Sequence, residues 1–158
     1  IERIDIKTYS LAVAGHDHTD IPGSYSAKMS IPYATAAGFI YGKAGLQEFS
    51  EERVCGKAIF DLTKKIHVEP DAELSALFPG IQAAIVNVTR RDGSILTERV
   101  DFPKGEPENP LDEMEFKSRY DDLMKYGHQT SGDEVYRLIY AEETKIRKVM
   151  ELMRGGMK

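Results

Sequence analysis

Ala83-Ala84-Ile85-Val86-Asn87-Val88-Thr89, then Arg90-Arg91-Asp92-Gly93-Ser94, then a return from Ile95 to Phe102, reads as a β-hairpin. Asp-Gly between two β-branched runs is a strong turn signal, because both central positions of a tight hairpin turn favour residues that tolerate positive φ. Upstream, Ile1-Glu2-Arg3-Ile4-Asp5-Ile6 alternates weakly, with Ile4 and Ile6 on one face, and reads as a strand reaching Tyr9. Ile66-His67-Val68-Glu69 reads as β before a Pro/Asp break. These segments predict an antiparallel or mixed sheet of about four strands.

Between the strands the periodicity is helical. Ser30-Ile31-Pro32-Tyr33 looks like a helix start, since Ser caps exposed N–H groups and Pro is tolerated in the first turn. Ala34-Thr35-Ala36-Ala37-Gly38-Phe39-Ile40-Tyr41 is small and apolar on nearly every side, as in a buried, closely packed helix. Gly42 and Gly45 end it. A short turn around Leu46 to Phe49 and a helix holding Ile59, Leu62 and Ile66 follow. Pro103 to Pro110 reads as a rigid linker. Asn109 is expected to cap a helix with Pro110 first, running to about Lys125. After a break at residues 127–132, one last helix is expected over 133–153, with Val135, Leu138, Ile139, Ile146, Val149, Met150 and Met153 on one stripe. The fold class is therefore α+β: a sheet covered by helices, followed by two C-terminal helices. A stripe that long needs a partner surface, and it predicts self-association, as a dimer.

Bulk composition narrows the function. The 158 residues suit one domain or one domain plus an appendage. With 41% apolar and 30% charged residues the chain is ordinary globular material. Twenty-six acidic against 21 basic residues leave a net charge of −5 and no electrostatic footprint for nucleic acid. No apolar run approaches the ~20 residues of a membrane span. The single Cys55 excludes an internal disulfide and a Cys-rich zinc or iron–sulfur site, and fits a reducing cytoplasm. The strand-like run at Ile1 reads as a chain cut at a domain boundary in a longer protein.

Two stretches carry chemistry-bearing side chains. His16-Asp17-His18 has two imidazoles and a carboxylate that suit a metal, but in a polar Gly/Thr/Asp loop such residues more often face solvent. Ser24-Tyr25-Ser26-Ala27-Lys28-Met29-Ser30-Ile31-Pro32-Tyr33 crowds hydroxyls, a cation and two phenols into a loop entering the buried helix. Lys28, Ser26 and the free N–H groups of the helix start suit a carboxylate. Tyr33 suits proton donation or orientation of a substrate oxygen. Equally, Tyr33 packs in the core with its hydroxyl satisfied, Lys28 sits in solvent and Ser30 merely caps. No P-loop, dinucleotide fingerprint or Gly-x-Ser-x-Gly elbow occurs.

Several of these stretches, in order, resemble the MmgE/PrpD family. Ala27-Lys28-Met29-Ser30-Ile31-Pro32-Tyr33 is similar to its "AKFSIPY" element. Gly42 through Leu46 to Phe49, then Ser50-Glu51-Glu52-Arg53-Val54, resembles its "DG…L..F.DERV" stretch. Lys64-Lys65-Ile66 with His67-Val68 resembles "RKV.V", and Arg91-Asp92-Gly93 resembles "LRDG". Asp101-Phe102-Pro103-Lys104-Gly105-Glu106-Pro107-Glu108-Asn109-Pro110-Leu111 is close to "..YPKGDPENPL" and is the most distinctive. Phe116-Lys117 resembles "EF..KF".

The resemblance implies a two-domain protein, with a large helical domain and a smaller α+β lid over the active-site cleft. Residues 1–105 would be the lid, and 106–158 the helices returning to the missing N-terminal helical domain. It implies lyase-type chemistry on a small polycarboxylate: dehydration of 2-methylcitrate foremost, which belongs to propionate metabolism, or decarboxylation of cis-aconitate or epimerisation of iminodisuccinate. It implies no cofactor and no metal. Most base, acid and carboxylate-binding groups would come from the helical domain. The lid would contribute the tyrosine of the "IPY" element, Tyr33, as catalytic residue, with Lys28, Ser30 and Ser26 beside it on the substrate. An α+β binding or interaction module without catalysis is the competing expectation.

Overall fold

The computed structural model describes residues 1–141 and 146–155. The chain divides into two compact units, Ile1–Pro110 and Leu111–Lys158. In the first, the order is β1 (Arg3–Thr8), α1 (Ser10–Val13), α2 (Ser24–Lys28), α3 (Ile31–Tyr41), a 3-10 turn (Leu46–Phe49), α4 (Glu51–Val54), α5 (Lys57–Thr63), β2 (Ile66–Pro70), α6 (Ala72–Leu77), β3 (Ala84–Thr89) and β4 (Ile95–Val100). The sheet is mixed and four-stranded, in the order β2-β1-β3-β4. β1 runs parallel to β2, with Ile4 opposite Ile66 and Ile6 opposite Val68. It runs antiparallel to β3, with Ile4 opposite Val88 and Ile6 opposite Val86. β3 and β4 form the expected hairpin. The fold is α+β, as its pattern of strands and helices predicts.

The central strand explains the core. Side chains alternate across a strand, so Ile4, Ile6 and Thr8 are buried while Asp5 and Lys7 are half-buried on the other face. Ile4, Ile6 and Ile66 form one apolar floor. α3 lies on it through Ala36 and Ala37, both fully buried. Methyl side chains let the helix backbone come close. Tyr33, Ala27, Val54 and Ile59 complete the cluster, and Val68, Val86 and Val88 pack at its edge. α3 keeps its expected bounds. The Ser30 hydroxyl caps it by accepting from Tyr33 N–H at 3.1 Å, and Gly42 closes it at φ +73°, where a glycine carries no Cβ penalty.

Several expectations are corrected. The hairpin turn does not place two residues at positive φ. Gly93 alone adopts φ +81°, while Gly93 N–H donates to the Arg90 carbonyl and Arg90 N–H to the Ser94 carbonyl. This is a three-residue loop closed by a left-handed glycine. Ser94 N–H and hydroxyl both donate to Asp92 Oδ1, at 2.9 and 2.6 Å, and these bonds hold the Asp92 carboxyl below its usual range. Ile66 opens β2 instead of ending a helix, since α5 stops at Thr63. Residues 24–28 form the short helix α2, not a loop.

In the second unit, α7 spans Glu113–Tyr126, α8 Gly132–Ile139 and α9 Ile146–Gly155. α7 starts later than Asn109 implies. Asp112 caps it in a reciprocal box with Glu115, each bond 2.8 Å, worth about 1 kcal/mol for such a cap. The Asn109 amide instead donates to the Phe102 carbonyl at 2.9 Å. The single helix expected over 133–153 is two helices, because α8 ends at Ile139; residues 142–145 of that expectation lie outside the described residues. Of the stripe, Val135 and Val149 are buried while Ile139, Ile146 and Met150 are exposed. Tyr120, Tyr136 and Tyr140 pack as an aromatic row. Lys117 lies over two of these rings and pairs with Asp121.

Truncating the floor of the core should be costly and truncating the exposed hairpin should not. Ile66→Ala is expected to destabilise the chain by about 2–5 kcal/mol, whereas Ile95→Thr should stay within about 0.5 kcal/mol. Urea unfolding of both variants measures this, and equal shifts would contradict the placement of the core.

Candidate functional site

The stretch singled out by its side chains folds into a polar lattice between α2 and α3. Ser30 stands at its centre, buried. Its hydroxyl donates to the His18 carbonyl at 2.6 Å while accepting from Tyr33 N–H. The His16 carbonyl accepts Ile31 N–H at 2.8 Å. Pro32 has no N–H to offer. The first-turn donors of α3 are therefore already engaged, and the expectation of free helix-start N–H groups for a carboxylate does not hold. Ile31 N–H is taken by the His16 carbonyl of the 16–18 loop and Tyr33 N–H by the Ser30 hydroxyl.

Ser26 belongs to the same lattice. Its hydroxyl donates to the Asp20 carbonyl at 3.3 Å and lies 3.1 Å from His18 Nε2. His18 is thereby fastened to α2, and His16 is turned so that its Nδ1 is buried without a hydrogen-bond partner. The two imidazoles make different local contacts, and among the described residues no group of three or more His, Cys, Asp or Glu side chains is placed to hold a metal ion. At the start of α2, Ser24 N–H donates to Glu51 Oε1 at 3.1 Å, so a carboxylate of the chain itself fills that position.

Tyr33 is 1% exposed. Its hydroxyl donates to the Glu48 carbonyl at 2.7 Å, and its ring packs against Phe49 with centroids 5.3 Å apart. Burial, then the neighbouring Tyr41 and Glu48, pushes its pKa up to about 12, against a smaller opposing pull from Arg53. Removing the phenol from water disfavours its charged form. Tyr33 is consequently a neutral hydrogen-bond donor over the whole physiological range. Lys28, on the last turn of α2, is exposed, and has no hydrogen-bond or ion-pair partner among the described residues.

The structure thus brings Ser26, Ser30 and Tyr33 into one connected set and leaves Lys28 on its outer surface. It also adds a residue that composition did not single out. Glu48 is buried. Its Oε2 accepts Gly45 N–H at 3.0 Å and its carbonyl holds Tyr33. The available signal was positional: Glu48 lies between Leu46 and Phe49 in the stretch that follows Gly42. Arg53 stacks on Tyr41 at 4.9 Å, which places a cation near the phenol pair.

The chain matches the family model of the MmgE/PrpD C-terminal domain over residues 1–142. No curated protein matches it. The matched span takes in the whole sheet, the polar lattice and α7 and α8, and so the chain belongs to the MmgE/PrpD family, of which it is a C-terminal domain.

Proposed function

We propose that this chain is the lid portion of a lyase acting on a small polycarboxylate, with dehydration of 2-methylcitrate its foremost reaction. In this reading residues 1–105 are the lid, and 106–158 return to a helical domain of the same protein that lies outside this sequence. That domain supplies the base and most of the carboxylate-binding groups, no cofactor takes part, and the setting is the cytoplasm and propionate metabolism. Family membership supports the reaction class.

The observation that carries the site is the contrast between Lys28 and its surroundings. The nearby donors of α3 are consumed internally, while Lys28 is exposed and unpaired among the described residues. A substrate carboxylate meets the Lys28 ammonium as a charge-assisted hydrogen bond. Ser26 and Ser30 hold the loop and helix that present it. Tyr33 is a proton donor and not a base, because its phenol stays neutral. To reach a substrate oxygen its hydroxyl leaves the Glu48 carbonyl, a rearrangement of the kind that accompanies lid closure. The burial of Tyr33 favours a second reading, an α+β binding module in which this tyrosine is only core.

The two readings separate in the full-length enzyme, assayed on 2-methylcitrate, cis-aconitate and iminodisuccinate. Tyr33→Phe is expected to slow turnover of the true substrate at least ~10-fold, about 1.4 kcal/mol of barrier. It also leaves the Glu48 carbonyl without its donor, at a cost of roughly 1–3 kcal/mol in stability. A loss of stability with turnover unchanged would return Tyr33 to the core and favour the second reading. Lys28→Ala should raise KM with kcat nearly kept, as for a group that binds ground and transition states alike; an unchanged KM for every substrate removes Lys28 from the site.

The 158-residue chain by itself should give negligible turnover. Robust dehydration of 2-methylcitrate by the purified chain would show that the lattice needs no helical domain, and would sink the lid assignment.

A further inference from the structure

α2 is too short to hold itself. Its five residues fall far below the length at which a helix is stable alone in water, so its place is set by what its side chains grip. Ser24 donates its hydroxyl to the Phe49 carbonyl and its N–H to Glu51 Oε1. Ala27, three residues on, has no exposure and sits in the core cluster. Ser26 is fastened to the Asp20 carbonyl and to His18. Ser24, Ser26 and Ala27 thus anchor the helix to the first unit.

The other two side chains, Tyr25 and Lys28, anchor nothing. Tyr25 is 85% exposed, and Lys28 is exposed. Neither side chain has a hydrogen-bond, ion-pair or ring partner among the described residues. That sets Tyr25 apart from Tyr9, Tyr33 and Tyr120, whose hydroxyls reach Gln82, Glu48 and Gly132. A ring so exposed gains almost nothing from burial, so Tyr25 contributes nothing to the core. Residues three apart on a helix are neighbours, with Cβ atoms about 5–6 Å apart. Ser24 and Ala27 take the inward face at that spacing, and Tyr25 and Lys28 the outward one.

We propose that Tyr25 is a further substrate-binding residue, its hydroxyl donating to the same substrate carboxylate that the Lys28 ammonium meets. This role rests on the reading of Lys28 as a carboxylate contact. A carboxylate only accepts hydrogen bonds, and its two oxygens take two donors side by side. Lys28 brings charge on a flexible stem, which fixes no orientation. The phenol is rigid beyond two side-chain torsions and is ordered at low entropic cost. Together they hold the carboxylate at two points, so its plane is set as well as its position. The anchored inner face of α2 keeps the pair from drifting, and neither donor has to give up a partner seen among the described residues. A cationic ligand, by contrast, is repelled by the ammonium.

The test uses the full-length enzyme on whichever of 2-methylcitrate, cis-aconitate and iminodisuccinate it turns over. Tyr25→Phe removes one hydroxyl and leaves the ring. It should raise KM about five- to tenfold with kcat nearly kept, as for the loss of one hydrogen bond to a charged group. Because the side chain stands in water, the urea midpoint and circular dichroism spectrum should not move. The two residues should also couple. Once Lys28→Ala has loosened the carboxylate, adding Tyr25→Phe should raise KM by no more than about twofold, well short of the product of the single effects. An unchanged KM in Tyr25→Phe overturns the role of Tyr25. If Lys28→Ala still raises KM in that case, the Lys28 contact stands without it; if neither moves KM, both fall. An effect of Tyr25→Phe on kcat alone also overturns it, since the hydroxyl would then act in the chemistry and not in binding. Effects of Tyr25→Phe and Lys28→Ala that simply multiply overturn the shared carboxylate. If none of the three compounds turns over, the lyase reading itself falls, and the role of Tyr25 with it.

Discussion

Ala36 and Ala37 are the constraint on which the first unit turns. A helix meets a sheet as closely as its smallest facing side chains allow, and here those are two methyl groups with no exposure to solvent. Close approach brings Tyr33, one turn earlier on the same face, down beside the floor of Ile4 and Ile66. Its hydroxyl then finds the acceptor that a buried donor needs in the 3-10 turn, at the Glu48 carbonyl. The turn is pinned to the helix, and Val54 and Ile59 follow into the same cluster. A bulkier residue at either alanine lifts the helix and releases that chain of contacts in order.

The polar lattice depends on the same geometry at one remove. Ser30 caps α3 and also grips the 16–18 loop, so the loop is held by the helix that the core holds. The Tyr33 phenol, the Ser26 and Ser30 hydroxyls and the His18 imidazole are engaged within it, and Lys28 stands at its surface with no partner among the described residues. That division sorts these residues into those that hold the loop and helix and Lys28, which can meet an anion without first breaking a bond seen among the described residues.

Much of this was legible in the sequence, unevenly. α3 could be bounded because Ser30, Pro32 and Gly42 are each fitted to a helix end by their own stereochemistry. The hairpin could be seen because Asp92-Gly93 interrupts two β-branched runs, yet its loop type depends on which residues bond across it. The start of α7 is ambiguous in the sequence because Asn109 and Asp112 both suit a cap; the reciprocal bonds of Asp112 and Glu115 decide it. α1, α2 and α6 are too short for periodicity to register. The parallel pairing of β2 was hidden because alternation carries no strand direction. At the site, residue types were readable and their occupancy only partly so: Tyr33 N–H goes to the Ser30 hydroxyl, a cap visible in the sequence, but Ile31 N–H and the Tyr33 hydroxyl go to the main-chain carbonyls of His16 and Glu48, which leave no mark in a sequence.

Among the described residues β1 is the first strand of the sheet and one of its two inner members, with β2 and β3 on either side. Its parallel partner begins at Ile66 and its antiparallel partner at Ala84. During synthesis it emerges before either of the strands it pairs with. The β3–β4 hairpin, by contrast, carries its partner within a few residues. Long-range pairing repays the entropy of loop closure only after the loop has closed. The middle of this sheet is therefore the last part to be satisfied, and the interval between β1 and β3 is the period in which the nascent chain is most open to the wrong strand.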